Sequence, residues 1–277
     1  MCVTCGCSDD ADVRVTEAGS WAHSHDGHEH HHHHDEAGHP HHHDHGDGFD
    51  EPGAVAADRP ARTLRLEQDV LAKNNLLAER NRGWLEGRGI VAMNLMSSPG
   101  AGKTTLLERT IRDLGEELSI SVVEGDQETL LDAERIRSTG CRVVQINTGS
   151  GCHLDADMLA RGLRTLDPPA SSLVLIENVG NLVCPALFDL GERGKVVVMS
   201  VTEGEDKPLK YPHMFRAAQL LVLNKVDLLP YVQFDTDRCV EHARRVNPQL
   251  EVFQVSATRG DGLDDWYGWL RHQVHHT

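Results

Sequence analysis

Residues 93–105 have the sequence MNLMSSPGAGKTT, in which a short apolar run leads into a loop of small residues that ends in Gly102-Lys103-Thr104. This ending fits the pattern G-x-x-x-x-G-K-[ST], whose backbone N–H groups surround phosphate oxygens at the start of a helix. Ser97 stands where the pattern has its first glycine. We therefore predict a phosphate-binding loop between a strand and a helix. The residues predicted to bind phosphate are Pro99, Gly100, Ala101, Gly102, Lys103, Thr104 and Thr105.

On both sides of this loop, short apolar segments alternate with amphipathic ones. Strands are predicted at 90–96, 121–123, 142–146, 172–176, 196–200, 220–223 and 251–255, and helices near 104–117, 128–138, 155–165, 214–218, 238–246 and 262–270. Strands that alternate with helices predict an α/β fold, with a mainly parallel sheet covered by helices on both faces.

A second motif follows the predicted strand at 220–223, where Asn224-Lys225-Val226-Asp227 has the pattern N-K-x-D. A carboxylate at Asp227 can accept hydrogen bonds from guanine N1–H and from the guanine 2-amino group, whereas adenine would leave it badly paired. Ser256 and Ala257, after the last predicted strand, are expected to complete the guanine site. The motif therefore predicts a site for GTP and GDP.

Two acids lie at predicted strand ends beside the phosphate loop. Asp126 ends Glu124-Gly125-Asp126, and Glu177 begins Glu177-Asn178-Val179-Gly180, which has the spacing of D-x-x-G with glutamate in place of aspartate. We predict Mg²⁺ ligands at Thr104, Asp126 and Glu177, catalytic roles for Lys103 and Asp126, and a γ-phosphate contact for Gly180. Either acid could instead cap a helix. No glutamine in the sequence is obviously placed to orient the attacking water, so we expect slow hydrolysis.

Potential metal ligands follow two other predicted strands. Cys152-His153 comes after the strand at 142–146, and Cys184 lies four residues beyond Gly180. Two thiolates and an imidazole suit Zn²⁺ or Ni²⁺, although spacing alone also allows three unrelated residues. A γ-phosphate contact at Gly180 would shift Cys184, which links the nucleotide to the metal. Cys141 and Cys239, near predicted helix ends, are expected to be structural.

Residues 1–60 differ in composition from the rest of the chain. They hold 13 acids, two arginines, 13 of the 19 histidines and three of the seven cysteines. Because bulky aliphatic residues are scarce, we predict a tail that is disordered without metal. Residues 61–277 are predicted to form the GTPase domain, beginning with a helix at about 63–85 that packs on the domain; a free interaction helix is the alternative. Tail ligands are predicted at Cys2, Cys5 and Cys7 for nickel and, more weakly, at His30, His31, His32, His33, His34, His41, His42 and His43.

The formal net charge of −16 argues against nucleic acid or an anionic membrane as the main partner. No apolar run is long enough for a membrane span, and the first residues lack the features of a signal peptide. An odd number of cysteines in ligand-like spacings indicates thiols held for metal rather than disulfides. We expect a cytoplasmic location.

Taken together, these motifs resemble HypB, the family of GTPases that incorporate nickel during hydrogenase maturation. The stretches that carry the resemblance are Cys2–Cys7, the helix reaching Trp84, Ser97–Thr105, Glu124–Asp126, Cys152-His153, Glu177–Pro185 and Asn224–Asp227. The resemblance covers residues 61–277 and the first seven residues, and within the family serine at the position of Ser97 is normal.

The resemblance implies a P-loop GTPase of the SIMIBI class that forms a homodimer around nucleotide. It implies delivery of nickel to the precursor of the [NiFe]-hydrogenase large subunit, together with a HypA-type metallochaperone. It also implies that Cys152, His153 and Cys184 form a nickel or zinc site at the dimer interface. The alternatives are a nickel storage protein, in which the tail does the main work, and a urease-accessory GTPase, against which the tail cysteines and the long helix argue.

Overall fold

One sheet of eight strands runs through the computed structural model, which describes residues 14–17, 59–127 and 131–275. Its strands are β1 (Arg14–Glu17), β2 (Val91–Ser97), β3 (Ile120–Asp126), β4 (Arg142–Asn147), β5 (Leu173–Glu177), β6 (Gly194–Ser200), β7 (Leu220–Asn224) and β8 (Glu251–Gln254). The spatial order is β1-β4-β3-β5-β2-β6-β7-β8. Strands β2 to β8 pair in parallel, and β1 pairs antiparallel with β4. The predicted mainly parallel α/β fold is confirmed.

Helices cover both faces of the sheet. They are α1 (Arg59–Gly87), α2 (Lys103–Leu114), α3 (Leu131–Arg137), α4 (Ala156–Leu166), α5 (Cys184–Leu187), α6 (Lys207–Lys210), α7 (Pro212–Ala217), α8 (Thr236–Val246) and α9 (Leu263–His275), with a 3-10 helix at Val226–Tyr231. Helices α2, α3 and α9 pack on one face, named here the α2 face. Helices α1 and α4 pack on the opposite face, the α4 face, as do α7 and α8 farther along the sheet. None of the helices in the described residues combines the length and apolar character that crossing a bilayer requires.

The N-terminal tail departs from its prediction at one place. Residues 1–60 were predicted to be disordered without metal, whereas Arg14–Glu17 forms β1, with Val15 opposite Ile146 in the register. Val15 packs against the core of the α4 face, and this apolar contact, with the exposed edge of β4, accounts for the strand. The predicted tail ligands lie outside the described residues: Cys2, Cys5, Cys7, His30, His31, His32, His33, His34, His41, His42 and His43.

Helix α1 packs on the domain through a face that includes two asparagines, while some of its apolar side chains are exposed. Val70 and Leu76 are 43% and 70% exposed, while the buried residues are Asn74, Ala78, Asn81 and Leu85. These four recur at spacings of four, three and four residues, which places them on one face of a helix. The asparagines can be buried because their amides bond to loop backbone.

Several short elements were not predicted. Strand β3 extends to Asp126 rather than ending at residue 123, because Glu124 and Asp126 interrupt the apolar pattern without interrupting the ladder. Helices α5 and α6 have four residues each and begin with a proline in the first turn, too short for helical periodicity to show. The predicted helix at 128–138 is α3, and residues 128–130 lie outside the described part of the chain.

Candidate functional site

The phosphate loop lies between β2 and α2, at the centre of the sheet. Strand β2 ends at Ser97 and α2 begins at Lys103, whose Nζ donates to Ser97 Oγ at 2.8 Å. Lys103 and Thr104 are buried in the first turn of α2. The free N–H groups of a first helical turn, with the helix dipole, favour an anion at this position. The geometry therefore matches the predicted phosphate-binding loop.

The N-K-x-D motif is joined to this loop by hydrogen bonds. Asn224 Nδ2 donates to the carbonyl of Ala101 at 3.0 Å, and Lys225 Nζ donates to the carbonyl of Gly100 at 2.7 Å. Lys225 has φ 62°, in the left-handed region that few non-glycine residues adopt. Strain of this kind is concentrated at functional sites.

The loop that contains Ser256 and Ala257, predicted to complete the guanine site, lies against the N-K-x-D motif. Ser256 Oγ donates to Asp227 Oδ1 at 2.6 Å, and the N–H of Ala257 donates to Asn224 Oδ1 at 3.2 Å. The structure thus brings together Asn224, Lys225, Asp227, Ser256 and Ala257, which lie at the carboxyl ends of β7 and β8. Such strand ends form the usual ligand-binding edge of an open parallel sheet.

Two buried carboxyl groups lie beside Thr104 on the α2 face. Thr104 Oγ1 donates to Glu177 Oε1 at 2.7 Å, and Glu124 is opposite Glu177 in the β3–β5 register. Burial, reinforced by the charge of Glu177, raises the pKa of Glu124 to about 9. Burial also raises the pKa of Glu177 to about 6, although the charge of Lys103 opposes that shift. A positive charge placed here would stabilise both carboxylates.

The carboxyl groups fit a divalent cation. Oε2 of Glu124 and Oε2 of Glu177 are buried and have no hydrogen-bond partner. Asp126 lies two residues beyond Glu124 at the end of β3, hence on the same face of the strand. Mg²⁺ takes oxygen ligands from hydroxyl groups and carboxylates, so Thr104, Glu177 and Asp126 suit the predicted magnesium site. Sequence reasoning passed over Glu124, and a polar residue within the buried strand was the signal for it.

Gly180 contacts the phosphate loop directly. A Cβ atom built on Gly180 would lie 3.2 Å from the Cα, N and Cγ atoms of Pro99. The segment Glu177–Gly180 therefore contacts the phosphate loop at both ends, through Glu177 on Thr104 and through Gly180 on Pro99. A shift of the loop on binding phosphate would be transmitted to this segment.

Cys152, His153 and Cys184 come together in space. One ligand atom from each lies within 4.8 Å of the others, with 3.7 Å between Cys152 Sγ and His153 Nδ1. Metal bonds of about 2.0 to 2.3 Å place the ligand atoms of a tetrahedral site about 3.3 to 3.8 Å apart. A contraction of up to about 1 Å would bring the three ligands to these distances and leave the fourth tetrahedral position open.

The surroundings of His153 favour the form of the ring that binds metal. Its ring packs against that of Phe188, tilted by 33°, with 3.9 Å between the centroids. Burial lowers the pKa of His153, and the nearby charge of Asp155 partly opposes that shift. A lowered pKa keeps the imidazole neutral at physiological pH, as a metal ligand must be. Cys184, the third predicted ligand, is buried at the start of α5.

A further contact of the phosphate loop escaped the sequence reasoning. Ser98 Oγ donates to Glu203, and Lys207 Nζ donates both to Ser98 Oγ, at 3.0 Å, and to Glu203. Glu203 also accepts from the N–H of Ser200, at the end of β6. The loop is thereby fastened to the segment before α6. No motif marked these residues, because their contact joins positions about 100 residues apart.

A family model agrees with this geometry. Residues 91–254 match the model described as "CobW/HypB/UreG, nucleotide-binding domain", which spans the sheet from β2 to β8. The chain belongs to the CobW/HypB/UreG family.

Relatives of the chain identify the branch of the family. The hydrogenase maturation factors HypB of Rhizobium leguminosarum bv. viciae and of Escherichia coli K12 are each 58% identical to it, over 209 and 212 residues. These alignments cover 76% of this chain and 70% and 73% of the relatives. The chain is therefore a hydrogenase maturation factor of the HypB type.

Solved HypB structures have the same fold. HypB from Archaeoglobus fulgidus is 43% identical, with a TM-score of 0.69 over 74% of this chain and 100% of that one. HypB from Helicobacter pylori in complex with nickel is 36% identical, with a TM-score of 0.69 over 74% and 96% of the two chains.

Proposed function

We propose that this HypB-type chain is a GTPase that carries nickel and inserts it into the [NiFe]-hydrogenase large subunit, with nucleotide state controlling nickel affinity. The observation that carries the proposal is the proximity of Cys152, His153 and Cys184, within 4.8 Å of one another. Cys184 follows the segment that contacts the phosphate loop through Gly180 and Pro99. The short stretch from Gly180 to Cys184 would therefore contact the nucleotide-binding loop at one end and supply a metal ligand at the other.

The nucleotide is GTP, and its hydrolysis resets the protein. Pro99 to Thr105 hold the phosphates, Gly180 contacts the γ-phosphate, and Asp227 with Ala257 selects guanine. Mg²⁺ would be held by Thr104, Asp126 and Glu177, and it supplies charge neutralisation of the phosphate oxygens. Lys103 neutralises developing phosphate charge and Asp126 orients the attacking water. Hydrolysis yields GDP and phosphate.

Nickel is the cargo, and zinc is a second ion that this donor set accepts. The Helicobacter pylori relative solved in complex with nickel supports nickel as the ion that is carried. An open coordination position suits a carrier, because a ligand from another protein can enter before the ion leaves. A homodimer formed around nucleotide would place two such sites together. The HypA-type metallochaperone and the large-subunit precursor are the expected partners, in the cytoplasm.

The composition of the tail favours a second candidate function, nickel storage. Thirteen histidines and three cysteines precede residue 61, and such tracts bind several divalent ions. Removing residues 1–60 separates the two roles. If the tail stores nickel, hydrogenase maturation will fail only in nickel-starved cells; failure in nickel-replete cells would assign the tail a direct part in delivery. Urease failure after gene deletion would instead support the urease-accessory alternative.

The proposed carrier role can be tested with two cysteine variants. In cells that lack their own HypB, Cys184→Ser is expected to abolish hydrogenase activity at ordinary nickel concentrations, because a thiolate ligand is lost. Cys239→Ser is the matched control, since Cys239 is equally buried but belongs to α8 and packs in the core beneath that helix. Activity equal to that of the control would exclude the inner site from nickel delivery.

A further inference from the structure

A chain of buried polar side chains begins in the segment Glu177–Gly180, which contacts the phosphate loop. It reaches the loop that carries Cys152 and His153, and also α5, which carries Cys184. It consists of Asn178, Asn94, Glu192 and Lys195, of which the first three are at most 5% exposed. Buried polar groups are costly unless they are hydrogen-bonded, and a well-bonded network of them makes its surroundings rigid. None of these four residues belongs to the nucleotide or metal ligands assigned above.

Asn178 lies where the nucleotide side of the sheet meets the metal side. Its neighbour Glu177 points to the α2 face and contacts Thr104. Asn178 points to the α4 face, where its Oδ1 accepts from the N–H of Leu154 at 3.2 Å. Successive residues of an extended strand face opposite sides, so a shift of this segment affects both sides at once. Leu154 immediately follows the metal ligand His153.

Leu154 also contacts the other strand that carries a magnesium ligand. A Cβ atom built on Gly125 would lie 2.7 Å from Leu154 Cγ. Gly125 lies between Glu124 and Asp126, which face the nucleotide side. The fully buried Leu154 is therefore packed against β3 and hydrogen-bonded to the end of β5. A shift of either strand end would displace the loop that carries Cys152 and His153.

The second branch reaches the helix that carries Cys184. Asn178 Nδ2 donates to Asn94 Oδ1 at 3.1 Å, and Asn94 Nδ2 donates to Glu192 Oε1 at 3.1 Å. Glu192 lies 3.6 Å from Lys195 Nζ. Lys195 Nζ in turn donates to the carbonyls of Phe188 and Ala186, at 2.9 and 3.1 Å. These carbonyls belong to α5 and to the residue after it, so the branch ends within four residues of Cys184.

We propose that Asn178 is the positioning residue through which nucleotide state sets the geometry of the metal site, acting on the His153 loop through Leu154 and on α5 through Asn94, Glu192 and Lys195. The inference rests on the proposed function, because it names the residue that regulates the same site. Neither branch passes through Gly180 or along the chain from Gly180 to Cys184. The network therefore provides a connection independent of the one that sequence spacing suggested.

Asn74 provides a matched control. It is buried like Asn178 and also contacts both metal-ligand loops, since its Nδ2 donates to the carbonyl of Asp189 at 2.7 Å and its Oδ1 accepts from the N–H of Ala156 at 2.9 Å. It belongs to α1, however, and has no hydrogen bond to the segment Glu177–Gly180. Replacing Asn74 loosens the two loops, whereas replacing Asn178 also cuts their connection to the nucleotide side.

The test compares nickel affinity in two nucleotide states. The full chain carries Cys2→Ser, Cys5→Ser and Cys7→Ser, and nickel is titrated against a competing chelator with Mg²⁺ and either GDP or a non-hydrolysable GTP analogue. Thiolate-to-nickel absorbance that disappears in the Cys152→Ser/Cys184→Ser variant reports the inner site. The ratio of the two dissociation constants measures the coupling between nucleotide and nickel.

Asn178→Ala is expected to bind nickel in both states with a ratio near one, whereas Asn74→Ala weakens binding in both states and keeps the wild-type ratio. A wild-type ratio in Asn178→Ala overturns this inference alone, and a ratio of one in the wild type overturns the proposed function as well. If Asn178→Ala does not fold, the test uses Asn94→Leu instead. This variant removes the hydrogen bonds of the α5 branch and keeps the bond between Asn178 and the N–H of Leu154. Its ratio is then expected to lie between one and the wild-type value, and an unchanged ratio overturns the α5 branch.

Discussion

Burial raises the pKa of the two carboxyl groups beside the phosphate loop. Glu124 and Glu177 face each other across β3 and β5, next to Thr104 and Lys103. Their raised pKa values mean that the interior disfavours two negative charges without a cation. The pair thus predisposes this position to bind a divalent ion together with nucleotide.

A first prediction concerns the pH dependence of stability. The pKa of Glu124 is higher in the folded state, at about 9, than the ordinary glutamate value of 4.5. The folded state therefore binds more protons between these values, and the free energy of unfolding falls as pH rises through that window. Without Mg²⁺ and nucleotide, Glu124→Gln is expected to be more stable than the wild type at pH 8, by about 1 to 3 kcal/mol.

Denaturant unfolding between pH 5 and pH 9 measures this difference, which should shrink toward pH 5. Glu108→Gln is the control, because Glu108 lies on α2 and pairs with Arg135 at the surface. Parallel pH profiles for Glu124→Gln and the wild type would contradict the assignment of a buried, costly carboxyl group.

A second prediction concerns base selection by Asp227. Asp227→Asn replaces a charged acceptor by an amide, and is expected to weaken GTP binding by about 1.5 to 3 kcal/mol, or roughly 10- to 150-fold. Asp261→Asn is the control, since Asp261 lies in the neighbouring loop, exposed and paired with Arg259. Equilibrium titration with a fluorescent GTP analogue measures both variants. Equal affinities in the two variants would contradict guanine recognition by Asp227.

At the scale of elements, helix ends and helix contacts hold in position the segments that carry Cys152, His153 and Cys184. Helix α4 begins directly after the Cys152-His153 loop, and its cap is Asp155, whose side chain accepts from the N–H of Met158. Helix α1 lies across the same region and bonds to the segment 189–192 as well. Loops that carry ligands are thereby fixed by regular structure on both sides.

The two aspartate caps offer a matched pair of variants. Asp155 caps α4 beside the metal site, and Asp235 caps α8 by accepting from the N–H of Arg238. Asp155→Ala and Asp235→Ala are each expected to cost about 1 kcal/mol of unfolding free energy. Only Asp155→Ala should also weaken nickel binding, several-fold, because His153 is two residues away. Equal nickel titrations for the two variants would show that the cap does not position the site.

The contact between α1 and the segment after α5 can be tested with two glycines of similar backbone. Gly191 and Gly140 have φ of +88° and +83°, so alanine is strained at both, by about 1 kcal/mol. At Gly191 a Cβ atom would also lie 2.4 Å from the carbonyl oxygen of Ala78 in α1, whereas at Gly140 it meets nothing within 4 Å.

Gly191→Ala is therefore expected to lose about 1 to 3 kcal/mol more unfolding free energy than Gly140→Ala. Denaturant unfolding of the two variants measures the difference. Equal losses would mean that α1 is held loosely against this segment.

At the scale of the whole molecule, sequence patterns predict those features that are determined by residues close together in the chain. Seven parallel strands, the phosphate loop and the base motif follow from apolar runs and from Gly102-Lys103-Thr104 and Asn224–Asp227. The burial of Asn74 and Asn81, the pairing of Glu124 with Glu177, and the chain from Asn178 to Lys195 do not. Each of these depends on contacts between distant segments, and a polar residue in an apolar stretch was the only local signal of them.

The central proposal for the molecule is that nucleotide state controls nickel affinity at Cys152, His153 and Cys184. The most direct measurement is the nickel dissociation constant of this site in the full chain with Cys2, Cys5 and Cys7 replaced by serine, with GDP and with a non-hydrolysable GTP analogue. We expect nickel binding at least about fivefold weaker with GDP, so that hydrolysis releases the ion. Equal affinity in the two states, with both nucleotides bound, would contradict it.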